Sequence, residues 1–176
     1  MRIVAGTARG RKLIIPSNSE IRPTKDRVRE AIFNSLHSYG LVEDLHYLDL
    51  FAGTGSLGLE ALSRGANSVV FVDNNELSVN TVTQNLQRLG FIGKAEIRRQ
   101  DAMTYLKESR EFDVAILDPP YEFKLWDQLL SQIKSKVVVI ESSQNINLDE
   151  SWVIIKEQSY GQSNVQIAVK EASFPL

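Results

Sequence analysis

The chain has 176 residues, a formal net charge of −2 and the composition of an ordinary globular protein, so we expect one substantial domain. It contains no cysteine, which excludes disulfides, thiolate metal sites and cysteine nucleophiles. No apolar run approaches the roughly 18 residues of a membrane helix, and the basic N-terminus has no apolar signal core, so we expect a cytoplasmic protein without a membrane segment.

Charge is unevenly distributed along the chain. Residues 1–29 contain eight basic and two acidic residues, a net charge of +6, whereas the remaining residues carry 12 basic and 20 acidic residues, a net charge of −8. An acidic body with a basic head indicates that the head meets a polyanion. The candidate nucleic-acid contacts are Arg2, Arg9, Arg11, Lys12, Arg22, Lys25 and Arg27.

The basic head begins with a predicted hairpin. Residues 2–5 and 12–15 are typical of two short strands, and the glycine-containing segment 6–10 is typical of the turn between them. The alternative is an edge ribbon whose charges only maintain solubility. We therefore expect an N-terminal basic arm, residues 1–23, ahead of the main domain, residues 24–176.

A helix is predicted to follow this arm. Thr24 can cap it, and its apolar spacing continues to about Tyr39. Lys25, Arg27 and Arg29 lie in its first turns, where cations oppose the helix macrodipole. Because local stability does not explain these cations, their position favours an anionic partner over a solvated helix face.

The next segment predicts a strand, a glycine turn and a helix. Residues 47–51 form a short apolar run that suits a buried strand, and Ser56 can cap a helix. Between them, Gly53 and Gly55 allow a tight turn and leave room for a ligand. This is the opening of a nucleotide-binding βαβ unit, although a purely structural turn remains the alternative.

An acid lies inside the predicted strand, just before the glycine turn. A carboxylate at Asp49 would repel a pyrophosphate but could hold an ammonium or a hydroxyl group. This favours S-adenosylmethionine over a dinucleotide, because that molecule has an amino group, a sulfonium and no phosphate. The candidate cofactor contacts at this turn are Asp49, Phe51, Gly53 and Gly55.

A second strand is predicted at residues 68–72, and it ends at Asp73 and Asn74. We consider both residues candidate cofactor contacts, since an acid at this place can accept both hydroxyls of a ribose. The alternative is that Asp73 only caps the helix that begins near Glu76.

After a helix at 77–89, a third strand is predicted at 95–99, followed by Asp101 and Ala102. Asp101 can either cap the short helix at 103–110 or accept a hydrogen bond from an adenine amino group. The sequence leaves these two alternatives open, and we keep both residues as candidate cofactor contacts.

A strongly apolar strand at residues 112–117 ends in a short motif with two prolines. Pro119 and Pro120 prevent the strand from continuing and a regular helix from starting at once. The result is a rigid loop at the carboxyl end of a strand, where open α/β sheets bind ligands. Its carboxylate, fixed carbonyl and aromatic ring make Asp118, Pro119 and Tyr121 the candidate catalytic residues.

The remaining segments complete an alternating pattern. A helix is predicted at 123–134, a buried strand at 137–141, a polar loop at 142–149, and a closing hairpin at 152–160 and 164–170. Strands that alternate with helices indicate a parallel, doubly wound α/β sheet.

Several motifs together resemble a known family. LDLFAGTGSLGLEAL, VFVDNN and ILDPPY, in this order and spacing, resemble the class I S-adenosylmethionine-dependent methyltransferases with a D/N-P-P-Y/F signature. The head segments MRIVAGTARGRKL and RPTKDRVREAIFNSL are similar to those of the bacterial RsmD family, which comprises guanine-N2 methyltransferases of small-subunit (16S) ribosomal RNA. The resemblance covers essentially the whole chain.

The resemblance implies a Rossmann-like seven-stranded sheet with the order 3-2-1-4-5-7-6 and an antiparallel last strand, preceded by the N-terminal hairpin. It implies that Asp49, Gly53 and Gly55 line the methionine end of the cofactor, Asp73 the ribose, and residues 101–102 the adenine. The expected partner is small-subunit ribosomal RNA or the assembling small subunit, and we expect a monomer.

The residues of the proline motif also indicate a mechanism. The exocyclic N2 of guanine is a poor nucleophile, because its lone pair is delocalised into the ring. Asp118 and the Pro119 carbonyl can accept its two N–H hydrogens, which frees the lone pair for in-line attack on the sulfonium methyl group. Tyr121 can stack on the base once it is unpaired. This chemistry requires neither a metal nor a covalent nucleophile.

Two other functions are compatible with parts of the pattern. A DNA adenine-N6 methyltransferase uses the same proline motif, but it would usually need a separate target-recognition region. A non-catalytic RNA-binding module on the same fold is the second alternative. The intact motif at 118–121 and the glycine turn argue against this module.

Overall fold

A single β-sheet lies at the centre of the protein. Within the residues that the computed structural model describes, 1–16 and 26–173, the sheet has seven strands: β1 (His46–Asp49), β2 (Ser68–Asp73), β3 (Ala95–Arg99), β4 (Phe112–Leu117), β5 (Ser135–Ser142), β6 (Trp152–Tyr160) and β7 (Ser163–Lys170). Their order is β3-β2-β1-β4-β5-β7-β6, with β1 to β5 parallel and β7 antiparallel to both of its neighbours. The predicted strand order and the antiparallel last strand are confirmed.

Helices cover both faces of this sheet. The described α-helices are α1 (Asp26–Ser38), α2 (Ser56–Ser63), α3 (Glu76–Leu89), α4 (Ala102–Glu108) and α5 (Trp126–Gln132), and short 3-10 turns lie at Ile92–Lys94 and Glu171–Ser173. None of these helices is long and apolar enough to cross a membrane.

The hydrophobic core has two halves, one on each face of the sheet. Tyr47 of β1 packs in the half that contains α1, α2 and α3, whereas its neighbour Leu48 packs in the half that contains α4 and α5. Successive side chains of a strand point to opposite faces, so a parallel strand with helices on both sides is apolar on both. The predicted doubly wound α/β architecture is confirmed.

The loop after β4 is longer than the sequence predicts. The expected helix over 123–134 is reduced to Trp126–Gln132. The Phe123 N–H donates to the Pro120 carbonyl at 2.9 Å, which closes a turn behind the two prolines. Because neither Pro119 nor Pro120 has a backbone N–H, the chain leaves the strand through this turn before a helix can form.

The N-terminal hairpin is present, but it has a single bridge where two strands are predicted. Arg2 and Lys12 pair in an isolated antiparallel bridge. The next backbone N–H groups, those of Val4 and Ala5, donate to the carboxylate of Glu60 on α2 at 2.9 and 3.0 Å. The prediction of two regular strands is therefore wrong, because these donors bind a side chain of the neighbouring helix.

The hairpin is attached to the C-terminal end of α2 by a close backbone approach. The Thr7 N–H donates to the Ser63 carbonyl at 2.7 Å, and the Ser63 hydroxyl donates to the Ala5 carbonyl at 2.6 Å. Gly6 has a φ of +83°, and a Cβ on it would lie 1.8 Å from the Ser63 carbonyl oxygen. Only glycine fits at this contact.

The hairpin also contributes to the main core. Ile3, Ala8 and Leu13 are buried in the same hydrophobic half as α1, α2 and α3. The division into an arm, residues 1–23, and a domain, residues 24–176, stays a prediction, and its boundary falls outside the described residues.

One cation of α1, which the sequence analysis interpreted as a contact for an anionic partner, has a structural role inside the protein. Arg29 is fully buried, and its guanidinium lies 3.3 Å from the carboxylate of Glu60 and 3.0 Å from that of Asp26. Glu60 is itself fully buried. The interpretation of Arg29 as evidence for a polyanion was wrong, because a buried acid accounts for its charge.

Candidate active site

The carboxyl ends of β2, β1 and β4 lie side by side. Asp49, the last residue of β1, pairs with Phe71 of β2 and with Ile116 of β4. The loops that leave these ends carry the glycine turn, Asp73 and Asp118. Open α/β sheets bind their ligands at this edge, so the predicted cofactor and catalytic residues lie where a ligand is expected. Among the described residues, no three histidine or carboxylate side chains are grouped so that they could hold a metal ion.

The turn after β1 has a conformation that requires its glycines. Gly53 and Gly55 have φ angles of 54° and 77°, in the left-handed region. Gly55 is the N-cap residue of α2, so the helix begins at Ser56 without a side-chain cap of its own. The prediction that Ser56 caps this helix is wrong, since Ser56 already lies in the first turn.

Asp49 accepts one of the hydrogen bonds that such a cap would accept. Its carboxylate accepts from the Gly58 N–H, in the first turn of α2, at 3.0 Å. Burial raises the pKa of the Asp49 carboxyl to about 7; the Gly58 N–H opposes this shift, and the charge of Asp73 adds to it. A buried carboxyl in this state gains from a cationic partner, and this fits an ammonium group next to the turn.

Asp73 connects the glycine turn to the loop after β2. One carboxylate oxygen accepts from the Gly53 N–H at 2.8 Å, and the other accepts from the Asn75 N–H at 2.9 Å. The side chain of Asn75 caps α3 by accepting from the N–H groups of Leu77 and Ser78. Asp73 therefore does not cap α3, and its half-buried carboxylate lies next to the turn. The adjacent Asn74 is exposed at the same edge.

Asp101 has the capping role that was one of its two alternatives. It is the N-cap residue of α4, and its Oδ1 accepts from the Thr104 N–H at 2.9 Å. Its side chain is exposed, whereas the following Ala102 is buried. The adenine contact of Asp101 stays a prediction, because a cap of this kind occupies only one carboxylate oxygen.

The proline motif and the loop after β5 line one cavity. Asp118 is half-buried directly after β4, Pro119 is buried, and Tyr121 is 48% exposed. The cavity next to them is lined by Pro119, Pro120, Tyr121, Phe123, Trp126, Ser142, Ser143 and Gln144. The cavity itself is narrow, with a volume of about 10 Å³, so a base would have to lie at its mouth, against the exposed ring of Tyr121.

A row of aromatic rings connects this cavity to the glycine turn. The rings of Phe51 and Phe123 meet edge to face at 5.4 Å, and those of Phe123 and Trp126 at 5.3 Å. Phe51, a predicted cofactor contact, lies two residues after the end of β1 and is half-buried. These ring contacts join the proline loop after β4 to the segment that leads into the glycine turn.

Asn85 is a site residue that the sequence analysis missed. It is fully buried on α3, and its amide donates to the carbonyls of Thr54 and Ile14 at 3.2 and 3.1 Å, while its oxygen accepts from the Ile14 N–H at 2.7 Å. It therefore links the glycine turn to the N-terminal hairpin. The available signal was a polar residue next to Leu86 on the apolar face of α3.

The predicted nucleic-acid contacts are only partly available for such a role. Arg2, Arg9, Lys12 and Arg27 are exposed to solvent. Arg22 and Lys25 lie outside the described residues.

Arg11 differs from the other exposed cations. Its guanidinium donates to the carbonyl oxygens of Leu89, at 3.3 Å, and of Arg88. These carbonyls lie at the C-terminal end of α3, where a cation is stabilised by the helix macrodipole. A structural contact therefore accounts for part of what the sequence analysis ascribed to RNA.

Comparisons with known proteins cover almost the whole chain. A family model described as conserved hypothetical protein 95 matches residues 1–169. The chain is 37% identical to the Haemophilus influenzae protein ribosomal RNA small subunit methyltransferase D, over 92% of this chain and 89% of that protein.

Solved structures agree with this likeness. A structure from Escherichia coli, provisionally assigned as the methyltransferase yhhF, superposes with a TM-score of 0.86 at 31% identity, covering 97% of this chain and 98% of that one. Magnesium protoporphyrin IX methyltransferase from Synechocystis, solved with bound S-adenosylmethionine, superposes with a TM-score of 0.66 at 16% identity, over 82% of this chain and 79% of that one, and shares the fold.

Proposed function

This chain belongs to the family of conserved hypothetical protein 95, the RsmD family, and from that premise we propose that it methylates the exocyclic N2 of a guanine in 16S ribosomal RNA. It is an S-adenosylmethionine-dependent ribosomal RNA methyltransferase. The single observation that carries the choice of an exocyclic amine is the Asp118-Pro119-Pro120-Tyr121 loop, which follows β4 next to the glycine turn after β1.

The residues of the glycine turn fit this cofactor. Two carboxylates, those of Asp49 and Asp73, lie at a turn that would otherwise suit a pyrophosphate. Asp49 would hold the ammonium group, Asp73 the ribose hydroxyls, and Asp101 with Ala102 the adenine. When bound, the cofactor supplies the methyl group on its sulfonium.

The catalytic step is assigned to the proline motif. Asp118 and the Pro119 carbonyl accept the two N–H hydrogens of guanine N2, and this draws the nitrogen toward tetrahedral geometry and frees its lone pair. As the nitrogen gains positive charge, the carboxylate of Asp118 would stabilise it, and one of the two N–H protons would then pass to this carboxylate or to solvent. The products would be a neutral N-methyl amine and a neutral thioether in place of the sulfonium. Because Pro119 is buried and the following Pro120 restricts its ψ, the Pro119 carbonyl is held ready for this contact.

The target base is held by stacking. Nearly half of the Tyr121 side chain is exposed beside the cavity, so an unpaired base can lie against its ring. Exposed cations of the hairpin and of α1, namely Arg2, Arg9, Lys12 and Arg27, would contact RNA phosphates around it.

The test is methyl transfer with a labelled cofactor, offered to naked 16S ribosomal RNA, to small subunits and to duplex DNA in parallel. Digestion of the RNA and mass spectrometry should locate the label on N2 of one guanosine. Label on adenine N6 in DNA would favour the rival enzyme, and cofactor binding without transfer to any of the three would overturn the proposal.

A monomer that works in the cytoplasm completes this proposal. The substrate class supports the location, since ribosomal RNA is the substrate of the relatives. Light scattering of the protein at assay concentration tests the oligomeric state, and a dimer mass would contradict it.

A further inference from the structure

The polar loop after β5, residues 143–149, has no role in the function described so far. Its first residues, Ser143 and Gln144, nevertheless line the same cavity as Pro119 and Tyr121, together with Ser142 at the end of β5. A base that stacks on Tyr121 would therefore also meet this loop. Whatever fixes the loop also fixes one wall of the target cavity.

A buried glutamine on β7 holds this loop. Only 2% of Gln166 is exposed. Its side-chain oxygen accepts from the Ile146 N–H at 2.7 Å, and its amide nitrogen donates to the Ile146 carbonyl at 3.1 Å. The same nitrogen donates to the carboxylate of Glu157 on β6 at 3.0 Å. Gln166 thus pairs with both backbone groups of one loop residue, as a neighbouring strand would.

The residue that Gln166 holds is also the hydrophobic anchor of the loop. Ile146 is 6% exposed and belongs to the same core half as Trp126, which lines the cavity. At the other end of the segment, the Ser142 hydroxyl donates to the Gln144 carbonyl. The cavity wall therefore lies between two tethered points, and its position depends on Gln166.

We propose that Gln166 is a positioning residue for methyl transfer: it holds the 143–149 loop so that Ser143 and Gln144 form a polar rim beside the cavity that Tyr121 also lines, where the target base binds. This inference rests on the proposed function and deepens it. An amide such as that of Gln144 both donates and accepts hydrogen bonds, and can therefore contact the polar edge of a base.

The position of Gln166 away from the cofactor turn makes the proposal testable. β7 is separated from β1 by β5 and β4, so Gln166 lies on the target side of the site. A residue that acts through the loop should change the use of RNA and leave cofactor binding unchanged. A residue that only stabilises the fold should lower the midpoint of thermal unfolding and leave both kinetics and cofactor affinity unchanged at temperatures well below that midpoint.

The experiment compares Gln166→Leu, which removes the amide at similar volume, with Val165→Ala. Val165 is buried on the same strand but faces the other core half, so its truncation destabilises the protein without touching Ile146. Cofactor affinity is measured by calorimetry, kcat and KM on RNA by label transfer, and stability by thermal unfolding. Assays are run well below the lower of the two midpoints.

We expect Gln166→Leu to lower kcat/KM for RNA by about tenfold to a hundredfold, as a displaced positioning element does, with unchanged cofactor affinity. Val165→Ala should leave kcat/KM unchanged. Equal kcat/KM in Gln166→Leu and wild type, or equal losses in Gln166→Leu and Val165→Ala, would overturn the proposal. An inactive wild type would instead overturn the proposed function.

A double variant that exchanges the side chains of Gln166 and Glu157 tests the same contact by the recovery of activity. Glu157 and Gln166 face each other across β6 and β7. In Gln166→Glu the loop keeps its acceptor for the Ile146 N–H but gains a carboxylate next to Glu157. Adding Glu157→Gln should restore part of the kcat/KM for RNA. Failure to restore any of it, with normal folding, would count against the proposed role of the contact between Gln166 and Ile146.

Discussion

Two parts of the candidate site are held in place by different means: the glycine turn, which is the proposed cofactor side, and the proline motif at residues 118–121, which is the proposed target side. On the cofactor side, carboxylates bind main-chain N–H groups: Asp73 holds Gly53, and Asp49 holds Gly58. On the target side, prolines restrict the backbone after β4, and the ring of Phe123 packs edge to face against those of Phe51 and Trp126.

This difference determines what a substitution would report. The acids of the cofactor side are proposed ligand contacts and also structural acceptors, so their removal combines lost binding with a loosened turn. On the target side the prolines shape the loop through their own covalent geometry, and the proposed role of Asp118 is to accept from the target amine. Five predictions follow from this contrast.

The largest effect is expected at Asp118. Asp118→Ala removes an acceptor for the target amine, and such a loss typically costs about 10²–10³ in rate, by analogy with oxyanion-hole donors. Cofactor affinity should stay close to that of the wild type, since the adenosine and methionine contacts are untouched. Single-turnover transfer and calorimetry on one preparation measure both; near-normal turnover would remove Asp118 from the mechanism.

The second effect is expected at Asp73. Asp73→Ala removes a charged acceptor from the ribose, and hydrogen bonds to charged groups are worth roughly 1.5–3 kcal/mol each. Cofactor affinity should therefore fall by at least tenfold, together with some stability. The matched control is Asn75→Ala, which removes the α3 cap at a cost of about 1 kcal/mol and should leave affinity unchanged. Equal affinity in the two variants would contradict the ribose contact.

The third effect depends on pH. Burial raises the pKa of Asp49 to about 7, so below that pH the free protein holds this carboxyl in its neutral form. An ammonium partner favours the charged form, and cofactor affinity should rise with pH by up to about tenfold per unit before it levels above pH 7. Asp49→Asn should bind weakly with no such slope. A slope that persists in Asp49→Asn would assign the titration to another group.

The same shift also predicts the stability of the free protein. The folded pKa of Asp49 lies above its ordinary value of 3.8, so the unfolded chain loses this proton first as the pH rises. Stability from this group is therefore present below about pH 4 and is lost as the pH rises through about 7. Urea unfolding of wild type and Asp49→Asn across this range measures the difference, which should vanish at low pH.

The smallest effect is expected at the exposed cations of the hairpin. Charge reversal at Arg9 and Lys12 should weaken RNA binding, and each lost phosphate contact should flatten the log–log salt dependence by roughly 0.7–0.9 units. Arg11 is left unchanged, because it binds carbonyls at the end of α3. Identical slopes in variant and wild type would place the RNA contacts elsewhere, most simply around Tyr121.

Local sequence signals were sufficient for most of the fold. Apolar runs of four to eight residues, separated by helical spacing, predicted the strands and their alternation with helices, because burial on two faces requires such runs. Glycine and proline indicate backbone constraints by their residue type alone. Gly53 and Gly55 indeed have positive φ angles, and the two prolines end β4. The sequence thereby determined the sheet, the glycine turn and the proline loop after β4.

Tertiary structure alone decided the partners of buried polar groups. In the sequence Arg29 is one cation among several, and only the fold places Glu60 beside it. In the same way, the fold alone brings Asn85 to the Thr54 carbonyl and Gln166 to the Ile146 N–H. A buried polar side chain is stable only with a partner, and that partner is fixed by packing rather than by distance along the chain. The sequence shows which polar and charged groups are present, and the fold decides which partners they bind.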